Sequence, residues 1–203
     1  MTPLRARAWL PFLFAALPLV AWSAQQGVPR AAQRPFPEQT ARGSTRIYYW
    51  GGNHSGGQAQ IHFGQPQWHD SYDEKLDSLS GKRWRLGQNF WTTLDTNLDL
   101  AFGEIEVLAG CWYLALERNV DGSYVLWVLD PIEIRDAHLD AFQVDQTKGG
   151  LAIALEHKAV AVKAEKLQIR LDLDATRKDG AKLVIHFGKH ELSAPLTMTP
   201  ERD

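Results

Sequence analysis

His54, His62 and His69 stand within one 16-residue window. Imidazole binds transition metals and moves protons near neutral pH, so the three are candidate metal ligands. Their spacing matches no compact ligand motif, and no carboxylate recurs beside them at a set interval. Exposed strand and loop histidines are the simpler reading. His186 and His190 flank Gly188-Lys189, and a tight turn there would set them opposite each other as a cross-strand pair. Glu104, Glu106 and Glu117 can share a sheet, but their spacing alone does not make them an acid pair for glycoside hydrolysis.

The densest unusual segment is residues 82–93, which gathers Arg83, Trp84, Arg85, Asn89, Trp91 and two threonines. Trp84, Arg85, Asn89 and Trp91 are the candidate ligand-binding residues. Indole faces with guanidinium and amide donors suit a sugar or a carboxylate. The competing reading, which the residue types favour, packs Trp84 in the core. Arg85 and Asn89 then bind backbone at the start of a strand. There is no Gly-x-Ser-x-Gly elbow, His-Glu-x-x-His pair or phosphate-cradling glycine loop, so no residue is assigned as catalytic and no cofactor is expected. Gly51-Gly52 and Gly56-Gly57 bracket Asn53-His54-Ser55, but strand residues follow where a phosphate loop needs a helix. Cys111 sits in the apolar run 111–116 and reads as a small buried hydrophobe. As the only cysteine, it excludes an intrachain disulfide.

The elements that must position these residues read as strands. Residues 47–50 are aromatic and β-branched, and they stop at Gly51-Gly52. In 58–63, Ile61 and Phe63 alternate with Gln60 and His62. Short runs follow at 90–94, 98–102 and 105–108. The pair 111–118 and 123–129 is joined by Asn119-Val120-Asp121-Gly122, a hairpin turn because Gly tolerates positive φ. Residues 124–129 are apolar on both faces, as in a central strand covered on both sides. Residues 133–142 suggest a loop with a short helix, since Ile134, His138 and Phe142 recur at intervals of four. Strands resume after Gly149-Gly150. Leu167, Ile169, Leu171 and Leu173 alternate with polar residues, Asp179-Gly180 turns the chain, and Gly188-Lys189 is read as a second turn. The pattern predicts an all-β, mostly antiparallel β-sandwich or jelly-roll-like domain with at most one short helix.

The chain of 203 residues suits one domain. Arg5 and Arg7 precede an apolar run over 8–22, and Ala21-Trp22-Ser23 ends in small residues, so 1–23 reads as a signal peptide cleaved after Ser23. The run is short beside the ~20 apolar residues of a membrane helix and contains Pro11 and Pro18, so no stable span is expected after cleavage. The expected location is periplasmic or extracellular. Residues 24–44 read as a flexible linker, 45–197 as the β domain and 198–203 as a tail. Without Arg5 and Arg7 the 22 basic residues fall to 20 against 24 acidic, a net charge of −4. A mildly acidic domain has no electrostatic footprint for nucleic acid. Oligomeric state is not encoded in any pattern found.

Four blocks resemble domain-of-unknown-function family 2911, a group of exported bacterial proteins. They are Ile61-His62-Phe63-Gly64-Gln65-Pro66, then Arg83-Trp84-Arg85-Leu86-Gly87-Gln88-Asn89 with Thr92-Thr93. Residues 108–114, around Ala109-Gly110-Cys111-Trp112-Tyr113, and residues 187–196, around Phe187-Gly188-Lys189-His190, complete the set. The family pattern is Trp-Arg-x-Gly-x-Asn followed by Thr, an Ala-Gly-x-Tyr strand start and a terminal hairpin near a Pro. Here the Ala-Gly start is displaced by one residue. The stretch 68–81 is acidic and Ser-rich where members carry a basic Gly-Arg segment. The chain thus resembles a divergent member, and the resemblance implies export and a β fold with no assigned activity. The expected function is an exported module that binds a small molecule, a carbohydrate-like ligand or a partner without catalysis. The alternatives are a metal-dependent or hydrolytic enzyme and a purely structural envelope protein.

Overall fold

The computed structural model of the protein describes residues 42–51 and 56–200. The described residues form ten strands: β1 (Arg42–Trp50), β2 (Gly56–Gly64), β3 (Arg83–Arg85), β4 (Thr92–Thr96), β5 (Leu98–Phe102), β6 (Ile105–Val107), β7 (Gly110–Arg118), β8 (Tyr124–Leu129), β9 (Leu151–Leu173) and β10 (Gly180–Pro200). All pair antiparallel in the order β1-β2-β4-β7-β8-β9-β10-β5-β6, with β3 also on β7. The all-β, sandwich-like expectation holds. Two short α-helices, α1 (Ser71–Lys75) and α2 (Pro131–Asp136), and two 3-10 segments accompany the strands. Helix α1 lies in the acidic, Ser-rich stretch 68–81, to which the sequence reading assigns no element. The proposed leader and most of the proposed linker lie outside the described residues. Strand β1 opens at Arg42, and Met198 and Thr199 pair with β5, so the folded unit reaches into both stretches read as linker and tail.

The two longest strands fold the sheet over. The first residues of β9, Leu151–Leu155, pair with β8, while Leu167–Leu173 pair with the start of β10. The end of β10 then pairs with β5. Two layers result, and their inner faces meet in one core. Ile61, Leu94, Leu114 and Leu126 come from one layer, Leu100 and Leu183 from the other, and each is no more than 3% exposed. Burying each such side chain contributes about 1.5–3 kcal/mol over leaving it in water. Along one side the layers are tied by backbone: Leu167 N–H donates to Pro66 C=O at 3.1 Å, and Trp68 N–H donates to Glu165 C=O at 2.8 Å. Among the described residues no helix is long and apolar enough to cross a membrane.

Strand β8 is apolar on both faces for the reason its sequence suggests. Tyr124, Leu126 and Val128 enter the main core. Leu129 and Trp127 face outward into a second cluster with Tyr113, Ala115, Ile134 and Val144. Helix α2 and the 3-10 segment Ala141–Gln146 roof that cluster. Asp130 caps α2 by accepting from Ile132 N–H at 2.7 Å, with Pro131 in the first turn, where its missing N–H costs nothing.

Two expectations are corrected here. Gly188-Lys189 is not a turn. Strand β10 runs straight through it, with register shifts on either side of Gly188, so the glycine sits in a bulge. His186 and His190 therefore do not face each other: His186 lies 3.1 Å from Val162 C=O, and His190 meets His157 on β9. Cys111 is exposed, because its position on β7 opposite Asp95 turns it away from the core. Partial burial and then Asp95 push its thiol pKa up, which disfavours the reactive thiolate.

Candidate functional site

Strands β3 and β4 lie end to end along the same edge of β7, interrupted by residues 86–91. The interruption has a local cause. Gly87 and Asn89 both take left-handed backbone, at φ 96° and 67°. The two are among the residue types that tolerate it best. The looped segment presses on the end of β2: a Cβ at Gly64 would lie 2.2 Å from Gln88 C=O. Only glycine permits that approach. The strand period of two then sorts the Arg83-Trp84-Arg85 side chains. Trp84 packs against the main core. Arg83 stands over the outward Trp127 ring at 3.6 Å, and Arg85 over the Phe142 ring at 4.4 Å.

Trp84 borders a cavity of about 580 Å³ between the layers. Its floor is made by buried aliphatic side chains, Leu116 of β7, Leu167 of β9, and Ile185 and Leu192 of β10. Tyr124 and Phe187 add aromatic walls. Residues 66–79, including α1, form the cover and supply Trp68, Tyr72, Leu76 and Leu79. Exposed His69, Lys75 and Gln88 mark the mouth. The volume lies within the ~300–1,000 Å³ range of small-molecule sites. Burial raises the Tyr124 phenol pKa, so it stays a neutral hydroxyl. The Trp84 Nε1–H is buried with no hydrogen-bond partner.

A five-residue helix has no stability of its own, so tertiary contacts must hold the cover. Trp68 packs edge-on to Phe187, with ring centroids 4.9 Å apart, and to Tyr72 at 5.6 Å. Asp70 accepts from Lys163 Nζ and Trp68 Nε1, both at 3.1 Å, and Lys163 holds its carboxyl below the usual range. Asp77 pairs with Arg118 at 2.8 Å. Asp73 Oδ1 lies 2.7 Å from His190 Nε2, and His190 Nδ1 lies 3.0 Å from His157 Nε2. With Asp73 accepting from Nε2–H, a neutral His190 presents Nδ1 as acceptor to His157. The chain Asp73–His190–His157 ties α1 to β10 and β9 and can relay a proton at the cavity's edge.

The candidate residues separate. Trp84 and Arg85 border the cavity. The Arg85 guanidinium donates to the carbonyls of Gly87 at 3.2 Å and Asn89 at 3.1 Å, pinning the looped segment. Asn89 serves the turn. Trp91 stacks on Tyr113 at 4.8 Å, nearly parallel, in the outer cluster away from the main core. Of the histidines, His69 packs against Tyr72 at 5.3 Å, His62 hydrogen-bonds Gln60, and His54 lies outside the described residues. Among the described residues no three His, Cys, Asp or Glu side chains gather to hold a metal ion. The cover residues Trp68 and Tyr72 and the pairing of His157 with His190 are not apparent in the sequence. The one usable signal was the aromatic content of 68–72 in an otherwise polar stretch. No protein-family model, curated protein or solved structure matches the chain.

Proposed function

We propose that the protein is an exported, non-catalytic module that binds a small molecule in the cavity under residues 66–79. The observation that carries this reading is the cavity itself: about 580 Å³, lined mostly by aromatic and aliphatic side chains, with the buried Trp84 Nε1–H and Tyr124 hydroxyl among the few polar groups inside. Well-packed domains leave few voids larger than a water, so a space this size calls for an occupant. Export rests on the leader and on the four blocks that resemble family 2911, of which we propose the chain is a divergent member. N-terminal sequencing of protein recovered outside the cytoplasm is expected to begin at Ala24; a retained Met1 or Thr2 contradicts cleavage.

A thermal-shift screen of organic acids, glycans and metal ions tests binding. A compound is expected to raise the melting temperature of the wild type and not that of Leu76→Trp, which fills the cavity from its half-exposed cover. Equal shifts in both proteins, or none in either, contradict the reading. A hydrolytic reading draws on the Asp73–His190–His157 chain. It predicts esterase turnover of p-nitrophenyl acetate that His190→Ala removes.

A further inference from the structure

The charges around the cavity are one-sided. Among the described residues that line it there is no Asp or Glu, while Lys75 is present with the imidazoles of His69 and His190; Arg85 borders it too, but its guanidinium stands over the Phe142 ring. The cover does carry carboxylates outside this lining: Glu74 on α1 is exposed and joins no ion pair with a described residue, and the other three are engaged. Asp73 is bonded to His190, Asp77 to Arg118 and Asp70 to Lys163. Arg85 is bound to the backbone of its own loop. That leaves Lys75, exposed and bordering the cavity, with no ion pair to any described carboxylate. Behind it the floor is hydrocarbon.

Resting on the cavity being a ligand site, we infer that its occupant is an amphipathic monoanion: an apolar body seated on Leu116, Leu167, Ile185 and Leu192, with a carboxylate at the mouth against Lys75. An apolar body gains from leaving water in proportion to the area it buries. A charge-assisted bond at the mouth fixes orientation and rejects cations. A neutral sugar would leave the floor's apolar surface unmatched, and a cation would find no carboxylate among the described lining residues to pair with.

Three probes of equal chain length separate the contributions: dodecanoate, dodecanol and dodecylammonium, each titrated below its aggregation concentration with tryptophan fluorescence as readout. Dodecanoate is expected to bind about tenfold tighter than dodecanol, the worth of one hydrogen bond to a charged group. Dodecylammonium is expected to bind weakest. Lys75→Gln, at an exposed position that leaves the fold intact, is expected to bring dodecanoate and dodecanol to roughly equal affinity by removing that charged donor. If dodecanol matches dodecanoate in the wild type, the anionic specificity is wrong while the cavity reading stands. If none of the three binds the wild type, and no compound of the thermal-shift screen raises its melting temperature, the cavity reading fails with it.

Discussion

Gly188 makes room for Trp68: a Cβ at position 188 would lie 2.5 Å from the indole ring. The glycine's φ of +61° bulges β10 at that point, and the indole sits over it against Phe187. One residue on a core strand thus determines where the cavity's cover can dock. Gly188→Ala is expected to lose about 1–3 kcal/mol from left-handed backbone strain and to lose more from displacing Trp68. Gly103 is the control, because it has the same φ of +61° with nothing within 4 Å of its would-be Cβ. Urea unfolding should show a larger loss for Gly188→Ala than for Gly103→Ala, with altered near-UV circular dichroism only in the former. Equal losses would mean that the Trp68 contact contributes nothing.

The imidazole chain gives the fold a pH dependence of definite sign. His157 is held below its ordinary value of 6.5, first by desolvation and then by His190 and Arg118. With the folded pKa depressed, the unfolded chain takes up the proton first. The contribution is therefore full above 6.5 and is lost as pH falls through 6.5 toward the folded value. His157→Phe keeps a ring beside Tyr124, 5.1 Å away in the wild type, and removes the titration. Urea midpoints at about pH 7.5 and about pH 5.5 bracket the window. The wild type is expected to lose more stability between them than His157→Phe. An identical drop in both would remove His157 from the account.

Arg83 fastens the outer roof rather than the cavity. Its guanidinium donates to Thr147 C=O at 3.2 Å and Gly149 C=O at 2.8 Å, lies over Trp127, and sits 3.9 Å from Glu117. Arg83→Met should cost about 2–3 kcal/mol, since the charged hydrogen bonds vanish and Glu117 loses its cation. Arg83→Lys should recover only part of this, because an ammonium cannot reproduce the fork. Chemical denaturation measures both, and an Arg83→Met protein as stable as the wild type would contradict the stapling role.

The sequence makes most of the fold legible where local chemistry decides it. Asp121-Gly122 closes the β7–β8 hairpin as its residue types require, with Gly122 at φ 87°. The apolar doubling of β8 announces cover on both faces. Gly188 misleads because a bulge and a tight turn both ask for a residue tolerant of positive φ. Residues 156–166 carry no alternating apolar face, and Val162 is 75% exposed, so the bend of β9 leaves no periodic trace. The site is less legible than the fold. Trp84 is recognisable by its company, but Trp91 next to it in the pattern belongs to the other face. The cavity brings the cover, near Trp68, against Phe187 and His190, more than a hundred positions along the chain, and no local signal carries such a pairing.

We propose that small molecules enter the cavity beside Trp68 and Trp84. Indole N–H signals in a ¹⁵N–¹H spectrum report on each tryptophan separately once assigned by Trp→Phe variants. Titration with dodecanoate is expected to shift the Trp68 and Trp84 signals and to leave those of Trp91 and Trp127, in the outer cluster, where they were. Shifts confined to Trp91 and Trp127, or no shift at any indole, would contradict it.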